Sequence, residues 1–110
     1  MWYAATNGHI DVLFALVSAG ADVNAQSNDG SFALGIASYK GSIDIMKVLL
    51  NNGAHIESKD KRGCTSLWAA VFNGRTDAVR ALVSAGADVN AQNNFGYSAL
   101  ATASELGYIV

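Results

Sequence analysis

The stretch "ALVSAGADVNAQ" occupies residues 15–26 and returns, letter for letter, at 81–92. Halfway between the copies, at 48–59, stands "VLLNNGAHIESK". Aligned with the twelve-residue stretch, it keeps the leucine, the glycine, the alanine after it and an aliphatic residue two positions on. The period is therefore 33 residues. A period of that length constrains the fold more than any local signal does. Each unit must be one supersecondary element, too small to bury its own apolar face, so neighbouring units have to stack. The glycines keep the same register. Gly30, Gly63 and Gly96 form one ladder; Gly20, Gly53 and Gly86 a second; Gly8, Gly41, Gly74 and Gly107 a third. Only Gly35 stands outside them. A glycine that recurs once per unit marks a backbone requirement, a positive φ or a close approach. Leu34, Leu67 and Leu100 recur likewise, as do Leu16, Leu49 and Leu82, and Ala4, Ala37, Ala70 and Ala103.

One unit can be read locally. In "CTSLWAAVFN", 64–73, Leu67, Ala70 and Val71 share one helical face, and Thr65 suits the N-cap. Asn73-Gly74 then reads as a helix stop. A second helix follows over 76–85, with Ala78, Val79, Leu82 and Val83 predicted to face inward and Gly86 to end it. The segment "ADVNAQNNFG" runs extended into a turn closed by Gly96. The product is helix, tight turn, helix and projecting loop.

The stretch 60–92, "DKRGCTSLWAAVFNGRTDAVRALVSAGADVNAQ", resembles one complete ankyrin repeat. It carries the D-x-x-G-x-T-x-L opening, the Ala-Ala region, the mid-repeat glycine and the G-A-D-V-N-A ending. The resemblance covers the whole chain, as one domain over 1–110: part of a first repeat at 1–26, repeats at 27–59 and 60–92, and part of a fourth at 93–110. It implies an all-α solenoid of stacked helix-turn-helix units with projecting β-turn loops. The departures are informative. The family's T-P-L-H is replaced by Phe32-Ala33-Leu34-Gly35, Thr65-Ser66-Leu67-Trp68 and Ser98-Ala99-Leu100-Ala101, and the chain has no proline. The histidine position holds Trp2, Gly35, Trp68 and Ala101. The Thr–His hydrogen bonds of the family are therefore expected to be missing and the stability to be lower. Gly35 inside a helix adds roughly 1 kcal/mol of cost relative to alanine. Alternation of tryptophan with small residues, together with the repeated twelve residues, points to duplication of a two-repeat unit.

Little points to catalysis, and the reading is that the chain is not an enzyme. His9 and His55 are the only histidines, and neither has a cysteine or carboxylate at metal-ligand spacing; no metal or cofactor is expected. Cys64 is read as an exposed surface thiol with no adjacent base to make it a nucleophile. Asp11, Asp44 and Asp77 recur at the start of the second helices, where they suit the N-terminal end of the helix dipole. No phosphate-binding loop occurs among the glycines. Charged residues make up 15%, which argues against disorder, and with a net charge of −2 neither nucleic acid nor a membrane surface is expected as partner. No apolar run approaches the roughly eighteen residues of a membrane span. The start lacks a signal-peptide pattern. With a single cysteine, the expected compartment is cytoplasmic.

What remains is recognition: a scaffold or adaptor that binds a partner protein or peptide. The family resemblance implies contacts through the loop tips and the exposed side of the first helices. Carried over position by position, this gives Asn28, Asp29 and Ser31; Lys61, Arg62 and Cys64; Asn94, Phe95 and Tyr97 at the tips. On the first helices it gives Thr6 and Asn7, Tyr39 and Lys40, Phe72 and Asn73, and Glu105, with Lys59 before the third tip. The stripe mixes four aromatics with four basic residues, a setting suited to binding hot spots. The alternative for Phe72 and Phe95 is packing within the array. Lys59, Lys61 and Arg62 suit an acidic partner segment, with Asp60 diluting their field. Asn24 and Asn90 resemble the asparagines that hydroxylases modify in ankyrin repeats; the plainer expectation is that each bonds the loop backbone. A competing role is that of a structural spacer or self-associating solenoid. Met1-Trp2-Tyr3 and Tyr108-Ile109-Val110 are apolar where terminal repeats usually present polar faces, so the chain is expected to be a fragment of a longer array or to stack end to end.

Overall fold

The computed structural model describes residues 10–107. Trp2, Ala4, Thr6, Asn7, Gly8, His9 and the apolar residues at both ends therefore lie outside the described residues. Within them the 33-residue unit folds as its sequence demands. The helices in chain order are α1 (Ile10–Ser18), α2 (Ala33–Lys40), α3 (Ile43–Asn51), α4 (Ser66–Phe72), α5 (Thr76–Ser84) and α6 (Ala99–Glu105). In each complete pair the two helices pack together, α2 on α3 and α4 on α5. Pairs then stack in two rows: α2, α4 and α6 in one, α1, α3 and α5 in the other. The result is elongated, 41 × 26 × 23 Å, as a linear stack must be.

Local chemistry sets the helix ends. The described members of all three glycine ladders have positive φ, the conformation that stops a helix or closes a tip. Thr65 Oγ1 accepts from Trp68 N at 3.3 Å and Ser98 Oγ from Ala101 N at 3.2 Å, each satisfying one orphan donor of a first turn. Asp11, Asp44 and Asp77 lie in the first turns of α1, α3 and α5. Phe32, in the place of Thr65, cannot cap α2. Instead it is buried, and its ring lies 3.1 Å from where a β-carbon on Gly35 would be. The two departures in this unit thus answer each other: the missing side chain at 35 leaves the space that the ring fills.

The tips are hairpins built alike. Ser27 N donates to Ser31 O, Asp60 N to Cys64 O and Asn93 N to Tyr97 O, at 2.9, 3.1 and 3.0 Å. Antiparallel bridges join Gln26 to Phe32 and Gln92 to Ser98. One continuous core, including Leu13, Leu34, Met46, Leu49, Leu67 and Leu82, runs through the units.

Three expectations are corrected. Val83 does not face inward: it is exposed, because no described helix packs on the far side of α5. Leu100 leaves the leucine ladder's environment. Leu34 and Leu67 are 1% and 4% exposed, Leu100 73%, since the first two lie under the second helix of their unit and none is described after α6. Cys64 is not a surface thiol; it is a free cysteine, 6% exposed, at the end of the third tip and in hydrogen-bond contact with Asn93 of the fourth.

Candidate partner-binding surface

Among the described residues, the space between tips and first helices forms two grooves. One is walled by Phe32, Gly35, Ile36 and Tyr39 on α2 and its entry, and by Asp60, Arg62, Cys64 and Thr65 across from them. The other lies one unit on, between Trp68 and Phe72 of α4, Phe95 and Tyr97 of the last tip, and Thr102, Glu105 and Leu106 at α6. Arg62 and Cys64 line both grooves and form the divide between them.

Hydrogen bonds between units hold the tips in a row. Gln26 Nε2 donates to Lys59 O at 2.9 Å, and Lys59 Nζ reaches Gln92 O at 3.4 Å, one period further. Asn94 Nδ2 donates to Lys61 O and its N–H to Arg62 O, both at 2.9 Å. On the helix side, Asn73 Nδ2 and Arg75 Nε both donate to Tyr39 O, at 2.8 and 3.2 Å. Asn73 therefore spends its amide on joining α4 to α2.

The structure brings several of the stripe residues together. Tyr39 lines the first groove, and Phe72, Phe95 and Tyr97 line the second; all four are exposed. Phe72 stacks on Trp68 of its own helix, with ring centroids 5.0 Å apart and planes 12° from parallel. Among the described residues Phe95 is the most open aromatic, 74% exposed. Arg62 stands between the grooves, with Lys59 and Lys61 exposed nearby in sequence. Asn28 and Asp29 lie exposed on the second tip and Ser31 lines the first groove. Lys40 is not brought to either groove. It borders a separate depression with Gly41, Gly74 and Arg75, at the turns between helices.

Charge at the tips is arranged by the hairpins. Asp60 does not oppose its basic neighbours freely: Oδ1 accepts from Arg62 N at 2.9 Å and Cys64 N at 3.0 Å. Hydrogen bonds from Ser27 and Ser31 hold the Asp29 carboxyl at a pKa of about 2. Burial, and then the Asp60 charge, push the Cys64 thiol up from its ordinary value. A buried, protonated thiol is a poor nucleophile. Alkylation of Cys64 in the native chain at neutral pH is expected to run more than about tenfold slower than in denaturant, where thiolate and access are both restored. Equal rates would mean that the fourth tip does not cover it.

The asparagines singled out for modification differ from one another. Asn24 joins two units: its Nδ2 donates to Gly53 O at 3.0 Å and its Oδ1 accepts from His55 N at 2.7 Å. Asn90 is exposed, and among the described residues its one bond is from its backbone N–H to Asp88 Oδ1. Sequence reasoning missed Trp68 as a groove residue, although its spacing of four from Phe72 on one helix face was the available signal.

A row of helix pairs with hairpin tips in register and grooves between them defines a repeat-built interaction module. The description of ankyrin repeats in three copies matches residues 1–93, and the chain belongs to the ankyrin-repeat family. Repeats of this family are generally protein–protein interaction modules and typically lack enzymatic activity. No curated protein matches the chain in sequence. Among the described residues, no helix is long and apolar enough to cross a membrane.

Proposed function

We propose that this chain is a non-catalytic scaffold or adaptor module that binds an extended segment of a partner protein across the two grooves. The observation that carries the reading is the clustering of four exposed aromatics, Tyr39, Phe72, Phe95 and Tyr97, along grooves that share Arg62. Aromatic and arginine side chains are the usual anchors of protein interfaces, because they desolvate large areas at small entropic cost. Lys59, Lys61 and Arg62 are exposed, while the Asp60 carboxylate is turned onto its own loop. That leaves an excess of positive charge on this tip, which suits acidic side chains in the partner segment. A single free cysteine, buried, suits an intracellular, reducing setting.

The test is quantitative capture. A protein recovered from native lysate by the wild-type chain is identified and titrated against variants. Tyr97→Ala and Phe95→Ala are each expected to weaken binding about tenfold or more, in the range of hot-spot truncations. Phe14→Ala, an exposed aromatic of α1 outside both grooves, is expected to leave it unchanged. Arg62→Ala is expected to slow association chiefly at low salt. Equal loss from Phe14→Ala and Tyr97→Ala would overturn the assignment of the surface.

A further inference from the structure

The first groove lies between the units 27–59 and 60–92, whose residues are all described, and its shape comes from a missing side chain. Gly35 stands where the next unit, one period on, has Trp68. The buried Phe32 ring lies against Gly35, and Ile36 and Ala69, both half-buried, line the same space. The apolar slot they leave holds about 230 Å³. That is below the roughly 300–1,000 Å³ of small-molecule sites and suits one side chain of a passing segment. The polar groups around the slot are engaged inside the chain. Thr65 Oγ1 accepts from Trp68 N, the Ser31 hydroxyl bonds the Asp29 carboxyl, Asp60 Oδ1 accepts from the N–H groups of Arg62 and Cys64, and Cys64 is bonded with Asn93.

Arg62 differs. Its N–H donates to Asp60 Oδ1 and its carbonyl accepts from Asn94 N, both at 2.9 Å, so its backbone is held from two sides. Its guanidinium makes no ion pair or hydrogen bond among the described residues. Among them it is also the one cation that lines the slot. The Lys59 ammonium bonds Gln92 O at 3.4 Å, and the Lys61 stem passes over Gly30 of the second tip, its Cγ 3.2 Å from where a β-carbon would be. We infer that the slot and Arg62 together choose the partner segment: an aliphatic side chain enters beside Gly35, and an Asp or Glu carboxylate two residues further along pairs with the Arg62 guanidinium. In an extended segment residues i and i+2 share a face, about 6.5 Å apart. The planar guanidinium matches a carboxylate with two parallel hydrogen bonds. A phosphate fits less well, since its charge of about −1.5 to −2 meets Asp60 on the same rim. This pairing presupposes the binding reading above and gives its surface a sequence preference.

A random library of short peptides, selected against the full chain, is the probe. Recovered peptides are expected to share an aliphatic residue followed two places later by Asp or Glu. For one of them, Arg62→Gln in the chain and exchange of the acid for its amide in the peptide are each expected to weaken binding about tenfold or more. The loss is expected in dissociation, which a charge that only steers encounter leaves unchanged. Both changes together are expected to cost no more than either alone. Lys61→Gln is expected to cost less than about threefold. Ala69→Leu fills the slot and is expected to weaken binding about tenfold or more, and phosphoserine in place of the acid is expected to weaken it too. Far-ultraviolet circular dichroism checks that every variant keeps its helices. Peptides recovered without the acid, losses that add, Lys61→Gln as damaging as Arg62→Gln, or tighter binding of the phosphoserine peptide each overturn the inference while leaving the binding reading in place. Recovery of no peptide overturns it as well, and the capture from lysate then judges the binding reading on its own.

Discussion

Gly63→Ala is expected to destabilise the chain by about 3 kcal/mol, while Gly96→Ala costs about 1 kcal/mol. Both glycines close a tip, with φ of 78° and 82°, where a β-carbon is strained by about 1–2 kcal/mol. Their surroundings differ. A β-carbon on Gly63 would lie 2.8 Å from Asn94 N and 2.9 Å from Asn94 Cγ, while one on Gly96 meets nothing within 4 Å. Asn94 cannot simply step aside, because its side chain and backbone hold Lys61 O and Arg62 O. Alanine at 63 therefore pushes the third and fourth tips apart and adds the cost of overpacking, about 1–3 kcal/mol. Urea unfolding measures the difference, with the midpoint shifting and the slope unchanged. Equal midpoints for the two variants would mean that the tips do not touch there.

The period made the architecture legible: helix pairs, glycine stops, hairpin tips and their order along the chain all follow from residues that recur every 33 positions. Burial was legible only where the neighbouring unit could be assumed. Val17 and Val83 have the same twelve-residue context, yet Val17 packs against the core and Val83 is exposed. Local sequence sets the conformation of a unit, but the unit beside it sets its exposure. Cys64 was misread for the same reason. One residue after a turn glycine reads as surface, but the tip that covers it comes from another unit. The groove aromatics were legible as a stripe, because tip and helix positions alternate with the period. Trp68 was not, since its place in the family pattern marked it as a substitute for histidine rather than as a wall of the groove.

Leu34→Ala and Leu100→Ala test that dependence on neighbours with one substitution at equivalent positions. Leu34 is fully enclosed between α2 and its neighbours, and removing its side chain is expected to cost about 3 kcal/mol, the middle of the range for buried leucines. For a chain of this size that lowers Tm by roughly 10–20 °C. Leu100, 73% exposed, has little to lose, and its truncation is expected to fall within about 0.5 kcal/mol of the wild type. Thermal unfolding at low protein concentration checks both. A position identical in sequence register is thus neutral or costly according to what lies beside it, because in a linear stack stability is carried by the interfaces between units as much as by the units themselves.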